Sequence, residues 1–443
     1  MSNVDHARHH NNFASRFGAI MSIAGMCVGM GNVWRMPYMI GEYGGGAFVI
    51  AYLICVVVVV APLAIMEAGV GKGLQSGMME AYSYALRNKT AGKALGGLFS
   101  FGYYSMNFYF FTVIAGALYF TYVSATSMWN RVPAAEIYNQ MNTNPMLVAG
   151  IGAVLALACA VVIYKGVQSG IEAISKVMVP CMILFFIVAI VFAIFFVDDI
   201  AAGYEFMFKP RWHELANFDM WTAAMGQACF SIGVGAGCIL TYGSHLHSKS
   251  DVTLNMLTVC LLDTSIGVLA GMAIIPACVG MGLSPESGSG LIFIVLPSLL
   301  EMLPLGSLIG ILVFLAVFFA GITSAFAQME VAVVAFSESI KGWTRKRACV
   351  IFGIVQILAA VAAAYSTKFF DFWNNVSGNY VFVVSAGVGA IVFGYIIGVE
   401  KIRTEFLNSS SDIKVGKWYT YLLKFIAIPI MLVMMINSLF PFL

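Results

Sequence analysis

The chain has few charged residues for its length. Only 10% of its 443 residues are Asp, Glu, Lys or Arg, and its formal net charge is +2. A soluble globular domain averages about 25% charged residues, so this composition excludes an ordinary water-soluble enzyme. It also excludes a nucleic-acid binder, which needs a basic patch, and a disordered chain, which needs a polar composition.

Cysteine and histidine are also scarce, and their positions do not favour catalysis. The nine cysteines lie within or at the ends of apolar runs, so we expect buried thiols rather than a disulfide framework. The histidines are all predicted to lie outside membrane-spanning segments: His6, His9, His10, His213, His245 and His247. We therefore expect no catalytic residues, no enzyme activity and no organic cofactor.

Long apolar runs dominate what is present. Hydrophobic residues make up 60% of the chain, and the mean hydropathy is +0.90. Because a spanning helix needs about 20 apolar residues, we predict an all-α polytopic membrane protein with a single transmembrane domain over residues 1–443. The predicted spans are residues 17–39, 47–70, 95–124, 146–164, 174–197, 220–242, 252–281, 307–336, 348–365, 372–398 and 418–439. The proline-interrupted residues 284–303 are predicted to form a re-entrant or surface helical loop.

The distribution of basic residues predicts the orientation. With the N-terminus in the cytoplasm, most of the 23 lysines and arginines fall in cytoplasmic loops and span ends, as the positive-inside rule requires. We therefore expect a multi-pass protein of the cell (plasma) membrane with a cytoplasmic N-terminus. It would contact membrane lipid and bind no nucleic acid; the sequence leaves its oligomeric state open.

The first and sixth spans carry similar glycine clusters, at residues 25–31 and 233–237. Each glycine weakens a helix by about 1 kcal/mol relative to alanine, so the clusters predict either close helix packing or broken helices. An odd number of spans per repeat inverts its topology. Residues 17–197 and 220–398 are therefore predicted to form inverted repeats of five spans each, with residues 418–439 as an eleventh span. Equivalent breaks point to a binding site near the bilayer midplane.

Four separated motifs resemble the neurotransmitter:sodium symporter family. They are GNVWRMPY followed by GGGAF at residues 31–48, GQACFSIGVGAG at 226–237, FFAGITSA at 318–325 and DFW at 371–373. The resemblance implies the leucine-transporter fold, a 5+5 inverted repeat with broken helices 1 and 6. It also implies sodium-coupled symport of amino acids or their derivatives by alternating access.

The same resemblance implies two bound sodium ions (Na+). The first sodium site would use the Cys27 carbonyl with Asn32, Ser231 and Asp263. The second would use the carbonyls of Gly25, Val28 and Ala320 with the hydroxyls of Thr323 and Ser324. The alternative for these two hydroxyls is a bond back to their own helix. Asp263 departs from the family, which commonly has asparagine there; a carboxylate within a span costs about 2.5–3.5 kcal/mol on insertion scales and is a functional candidate.

The resemblance also implies substrate-binding residues, gates and a structural acid. The substrate would contact Cys27, Gly29, Gly31, Tyr109, Phe230, Ser231, Gly233, Ala236, Ser324 and Gln328. An outer gate would pair Arg35 with Asp371 beside Gln227. An inner gate would use Glu338 as its acid, with the family's arginine aligned near the tail position His10, and with Phe13 and His245 in place of the family's tryptophan and tyrosine. Glu67 would bond to the backbone of the broken helices.

The pocket residues predict the kind of substrate. Gly29 replaces the aspartate of the monoamine branch, which favours a small-molecule substrate with its own carboxylate. Gly233 and Ala236 contribute little volume, which predicts room for a hydrophobic or aromatic L-amino acid. Gln328 is expected to face the pocket and to bond either a polar substrate atom or water, or else Asn107. The alternative function is a transporter-like amino-acid sensor that binds without turnover.

Overall fold

The structure is a computed structural model that describes residues 12–284, 291–409 and 413–439. In this part of the chain the secondary structure is helical, and the one β pairing is an isolated bridge between Gly45 and Pro210. Nine helices in the same ranges are long and apolar enough to cross a membrane, and a bent pair, Arg16–Cys27 with Gly31–Glu42, forms a further span. The two halves of this first span meet at an angle of 56°.

The remaining spans are numbered in chain order, and most match the predicted segments. They are span 2 (Gly46–Leu74), span 3 (Lys89–Ala125), span 4 (Pro145–Tyr164), span 5 (Val167–Phe196), span 7 (Val252–Gly280), span 8 (Gly306–Ser339), span 9 (Arg345–Tyr365), span 10 (Thr367–Leu407) and span 11 (Lys417–Asn437). Span 10 extends beyond its predicted end. Of the predicted loop at 284–303, Leu291–Met302 forms a short apolar helix, and residues 285–290 lie outside the described residues.

Span 6 is the second broken helix. Its halves are Phe218–Ile232 and Cys238–Ser244, each too short to cross a membrane alone. Between them Gly233, Gly235 and Gly237 have φ angles of 76°, 85° and 79°, in the left-handed region that favours glycine. The glycine cluster therefore breaks the helix here, as predicted, rather than only allowing close packing.

Polar side chains begin several spans by satisfying the first free backbone N–H groups. Ser15 accepts from the Gly18 N–H at the start of span 1, and Asp251 accepts from the Leu254 N–H at the start of span 7. Asn144 caps span 4 directly before a proline, which suits the first helical position because it has no N–H to leave unpaired. These caps agree with the positions where the apolar runs begin.

The two broken spans lie at the centre of the helix bundle. The first half of span 1 packs against spans 5, 7 and 8, and the second half of span 6 packs against spans 2 and 8. The outer spans instead expose large apolar side chains, including Val154, Phe195, Leu358 and Phe425. This distribution suits a bundle whose perimeter meets lipid and whose interior holds the irregular backbone.

Candidate functional site

A cavity lies between the two helix breaks and spans 3, 8 and 10, and its empty space of about 430 Å³ includes the part open to solvent. Eight predicted substrate contacts line it: Cys27, Gly29, Gly31, Phe230, Ser231, Gly233, Ser324 and Gln328. Most of the further lining residues are apolar. Met106 was expected from the sequence to border the pocket, whereas five others were not identified: Met26, Met30, Tyr103, Phe110 and Phe382.

Tyr109 is not among the residues that line the cavity, so its predicted contact with the substrate stays a prediction. Its ring instead packs edge-on against Phe370 of span 10, with the ring centroids 5.4 Å apart. Tyr103, six residues earlier, lines the cavity. The helix is interrupted at Ser105 and Met106, and this interruption changes which side chains face inwards.

Ala236 also lies outside the cavity wall, although it is buried. It belongs to the unwound segment between Ile232 and Cys238, where a helical periodicity does not determine which way a residue faces. Its predicted contribution to pocket size therefore stays a prediction. Gly233 does line the cavity.

The predicted ligands of the first sodium site meet around Asp263. The Asn32 side-chain amide donates to the Asp263 Oδ1 and main-chain carbonyl, both at 2.9 Å, and the Ser231 hydroxyl donates to Oδ2 at 2.7 Å. The Tyr52 hydroxyl adjoins the same carboxylate. Among the described residues, no lysine or arginine pairs with Asp263, which is fully buried. A bound cation would supply the missing positive charge.

The predicted ligands of the second sodium site meet where span 1 breaks. A Cβ built on Gly25 would lie 3.6 Å from the Thr323 Cβ and 3.5 Å from the hydroxyl of Ser175, a residue that the sequence reasoning missed. The helix ends at Cys27, and the Gly29 N–H, which would donate to the Gly25 carbonyl in a continuous helix, donates to the Asn32 side chain instead. The Gly25 carbonyl is therefore available to a hard cation.

The hydroxyls on span 8 already donate to carbonyl oxygens. Thr323 donates to Phe319 at 2.8 Å and to Ala320 at 3.2 Å, whereas Ser324 donates across the site to the Met26 carbonyl at 3.4 Å. Thr323 thus makes the bond back to its own helix that the alternative interpretation describes. That bond uses the hydroxyl proton and leaves the oxygen lone pairs for a cation, so it is compatible with sodium binding.

Side chains of spans 2 and 10 fix the unwound segment of span 6. The Gly235 N–H donates to the Glu67 carboxylate at 2.8 Å. The Gly235 carbonyl accepts from the Ser385 hydroxyl. Glu67 therefore contacts the broken helix as the resemblance implies, and both of these backbone groups find partners away from water.

The predicted outer-gate pair is not formed. Arg35 donates to the Gln227 side chain at 3.2 Å, and Gln227 donates to the Gly31 carbonyl at 2.7 Å. The Arg35 guanidinium also lies 5.8 Å from the centroid of the Phe230 ring. Asp371 is described and exposed, but no ion pair joins it to Arg35. Arg35 is instead held over the cavity by Gln227 and Phe230.

The inner side of the site carries a buried charge network. The His245 Nε2 lies 3.0 Å from a Glu330 oxygen, and Arg345 donates to both Glu330 oxygens at 2.7 Å. The Phe13 N–H donates to the His245 carbonyl at 3.0 Å. His245 follows the last helical residue of span 6, Ser244, and is buried there. The sequence reasoning missed Glu330. A glutamate within a long apolar run could have identified it as a candidate functional residue.

The structure shows Glu338 in a contact that was not predicted. It accepts from the Gly77 N–H at 2.9 Å, at the start of the short helix Met78–Leu86. The tail position His10 lies outside the described residues. The predicted inner-gate role of Glu338 therefore stays a prediction.

Comparisons with known proteins agree over nearly the whole chain. The family model described as the sodium:neurotransmitter symporter family matches residues 10–149 and 129–442. A sodium-dependent transporter of Methanocaldococcus jannaschii is 29% identical over 434 residues, covering 93% of this chain and 86% of that protein. A sodium- and chloride-dependent betaine transporter of Caenorhabditis elegans is 23% identical over 474 residues, covering 94% of this chain and 78% of that protein.

A solved structure is similar to this one over its full length. The crystal structure of MhsT in complex with L-phenylalanine superimposes with a TM-score of 0.84 at 26% sequence identity. The match covers 97% of this chain and 99% of that chain.

Proposed function

Because this chain belongs to the sodium:neurotransmitter symporter family of sodium-dependent transporters and has its leucine-transporter fold, we propose that it carries hydrophobic or aromatic L-amino acids across the plasma membrane together with sodium. The observation that carries the proposal is the cavity between the two helix breaks. Its walls are formed largely by methionine and phenylalanine side chains, including Met106, Phe110 and Phe382. The similar MhsT was solved with an aromatic amino acid, which agrees with this substrate class.

The coupling ions would occupy two sites beside the cavity. One would be held by Cys27, Asn32, Ser231 and Asp263, and the other by Gly25, Val28, Ala320, Thr323 and Ser324. Cys27 and Ser231 also line the cavity, so a substrate carboxylate placed there would complete the shell of the first ion. Each of the two ligands would then raise the affinity for the other, which is the thermodynamic basis of coupling. The N-terminus would face the cytoplasm, and no organic cofactor is needed.

A sodium-dependent stabilisation screen tests the substrate class. Purified protein is heated with each of the twenty common amino acids, in sodium or in potassium at the same ionic strength. Phenylalanine, tyrosine or tryptophan should raise the melting temperature more than alanine or glycine, and only with sodium, because the apolar wall is buried only by a large side chain. Greater stabilisation by glycine or alanine would show that the substrate class is wrong.

Removing the two span 8 hydroxyls tests the second sodium site. The double variant Thr323→Ala/Ser324→Ala should lower the apparent sodium affinity by roughly tenfold or more, because neutral oxygen ligands are lost from a small ligand set. The measurement is substrate binding as a function of sodium concentration. Thr258→Ala is the matched control, since Thr258 on span 7 makes the same bond back to its own helix at 2.8 Å. Unchanged sodium dependence in the double variant would refute this site.

A further inference from the structure

Gln328 places a buried amide in a mostly apolar cavity. It follows Ser324 by one turn on span 8, lines the cavity and is 3% exposed. Its Oε1 has no hydrogen-bond partner among the described residues. A buried polar atom left unpaired costs about 1–3 kcal/mol. An occupant that pairs with this atom should therefore bind more tightly than one that does not.

The neighbouring polar groups already have partners of their own. The Cys27 thiol donates to the Ile232 carbonyl at 3.2 Å, and the hydroxyls of Ser231 and Ser324 donate to Asp263 and to the Met26 carbonyl. None of these bonds involves Gln328.

Asn107, the alternative partner considered from the sequence, is also engaged elsewhere. Its amide donates to the Ala325 carbonyl at 3.1 Å and to the Gln356 side chain at 3.4 Å. Asn107 does not line the cavity either. Asn107 is therefore not the partner of the Gln328 oxygen, and an occupant of the cavity that Gln328 lines could pair with it.

The position of Gln328 matches the far end of a substrate side chain. Ser324 lies against the break in span 1, because a Cβ on Gly29 would approach its hydroxyl to 2.5 Å. Gln328 lies four residues further along the same helix, a rise of about 6 Å. A carboxylate near Cys27 and Ser231 and a ring extending along span 8 would bring the ring edge to the amide. Met106 and Phe110 of span 3 also line this cavity and offer apolar contact to the ring.

We propose that Gln328 is a specificity-determining residue that selects aromatic amino acids whose ring carries a hydrogen-bond donor. The phenol O–H of tyrosine and the indole N–H of tryptophan have this chemistry, whereas phenylalanine, leucine and methionine leave the amide oxygen unpaired. The inference rests on the proposed function and narrows its substrate class. A site built to hydrogen-bond a substrate group discriminates strongly against the analogue that lacks it.

Two matched substrate pairs test the inference on the wild-type protein. Tyrosine is compared with phenylalanine, and tryptophan with 3-benzothienylalanine, in which sulfur replaces the indole N–H with little change in shape. Each amino acid competes with a labelled aromatic substrate in sodium and in potassium. We expect the member with the donor to bind about tenfold or more tightly in each pair, and only with sodium.

Two protein variants assign the preference to the amide. Gln328→Met keeps the length and volume of the side chain and removes its polar atoms, so it should reduce both preferences to less than about threefold. Gln356→Met makes the same change at a buried glutamine outside the cavity wall, and it should leave both preferences unchanged. The two substrate pairs test the preference for a ring donor on the wild-type protein, even if Gln328→Met does not fold.

The outcomes separate this inference from the proposed function. Sodium-dependent binding with equal affinity inside each pair would overturn the role of Gln328, because water would then satisfy the amide equally well for both members. A preference that persists in Gln328→Met would overturn it too. Absence of any sodium-dependent aromatic binding would instead refute the proposed function, and this inference with it.

Discussion

Asp263→Asn is expected to make sodium-dependent uptake require chloride, or to abolish it. The native protein is expected to transport equally well in chloride and in gluconate media. In the variant, uptake in gluconate should fall at least tenfold, and chloride should restore part of it or none. The measurement is initial uptake of a labelled amino acid in the two media at constant sodium.

The reason lies in the charge balance of the first sodium site. Asp263 is buried, and its two carboxylate oxygens accept from Asn32 and Ser231, which are both neutral. The carboxylate therefore brings a full negative charge to a place where a cation is expected, and each would stabilise the other. A relative is named as a sodium- and chloride-dependent betaine transporter, and we expect the anion to supply this charge there. Asparagine has one acceptor oxygen in place of two, so it can keep the bond from Asn32, whereas its NH2 group would donate to the Ser231 hydroxyl. It also removes the charge, so a mobile anion becomes the remaining source.

A second acid-to-amide change serves as the control. Asp198→Asn alters an exposed residue after span 5 and should leave both sodium and chloride dependence unchanged. Strong stimulation of the native protein by chloride would contradict the account, as would full activity of Asp263→Asn in gluconate.

Gly235→Ala is expected to remove sodium-dependent substrate binding. Gly235 has a φ of 85°, which alanine rarely adopts, and an added Cβ would lie 2.0 Å from the Ala386 Cα, where neither backbone can yield cheaply. Its N–H and carbonyl are also fixed by Glu67 and Ser385. The unwound segment would therefore have to shift, and the cavity with it. We expect at least a tenfold loss of substrate affinity and a lower melting temperature.

Gly226→Ala is the matched control for that variant. Gly226 lies in the first half of span 6, and a Cβ there would meet nothing within 4 Å. Alanine also favours a helix interior by about 1 kcal/mol over glycine. This variant should keep wild-type binding and stability. Wild-type affinity in Gly235→Ala would show that the break in span 6 does not form the site as described.

The sequence was most informative where one kind of physical signal dominated. Long apolar runs located the spans, and the two glycine clusters located both breaks, because a chain in lipid must pair its backbone groups and few structures allow this. The family motifs then brought Asn32, Ser231 and Asp263 to one place, and the structure joins them by hydrogen bonds. The assignment of these residues to sodium remains a prediction.

The sequence was least informative where no periodic signal was available. Residues 103–111 are rich in aromatic side chains on every face of the helix, so the sequence did not reveal that Tyr103 rather than Tyr109 lines the cavity. Ala236 lies in unwound backbone, for which helical spacing has no meaning. Phe382 was missed because the span 10 motif concerned only the gate. The Glu330–Arg345 pair required tertiary structure, since its partners lie on different spans.

Uptake by the purified protein in proteoliposomes is the most direct test of sodium-coupled amino-acid symport. With an inward sodium gradient, a labelled aromatic amino acid should accumulate above its external concentration, and accumulation should collapse when sodium is equilibrated or replaced by potassium. Sodium-dependent binding without accumulation would identify a sensor instead of a transporter. Uptake that ignores sodium would contradict the coupling itself.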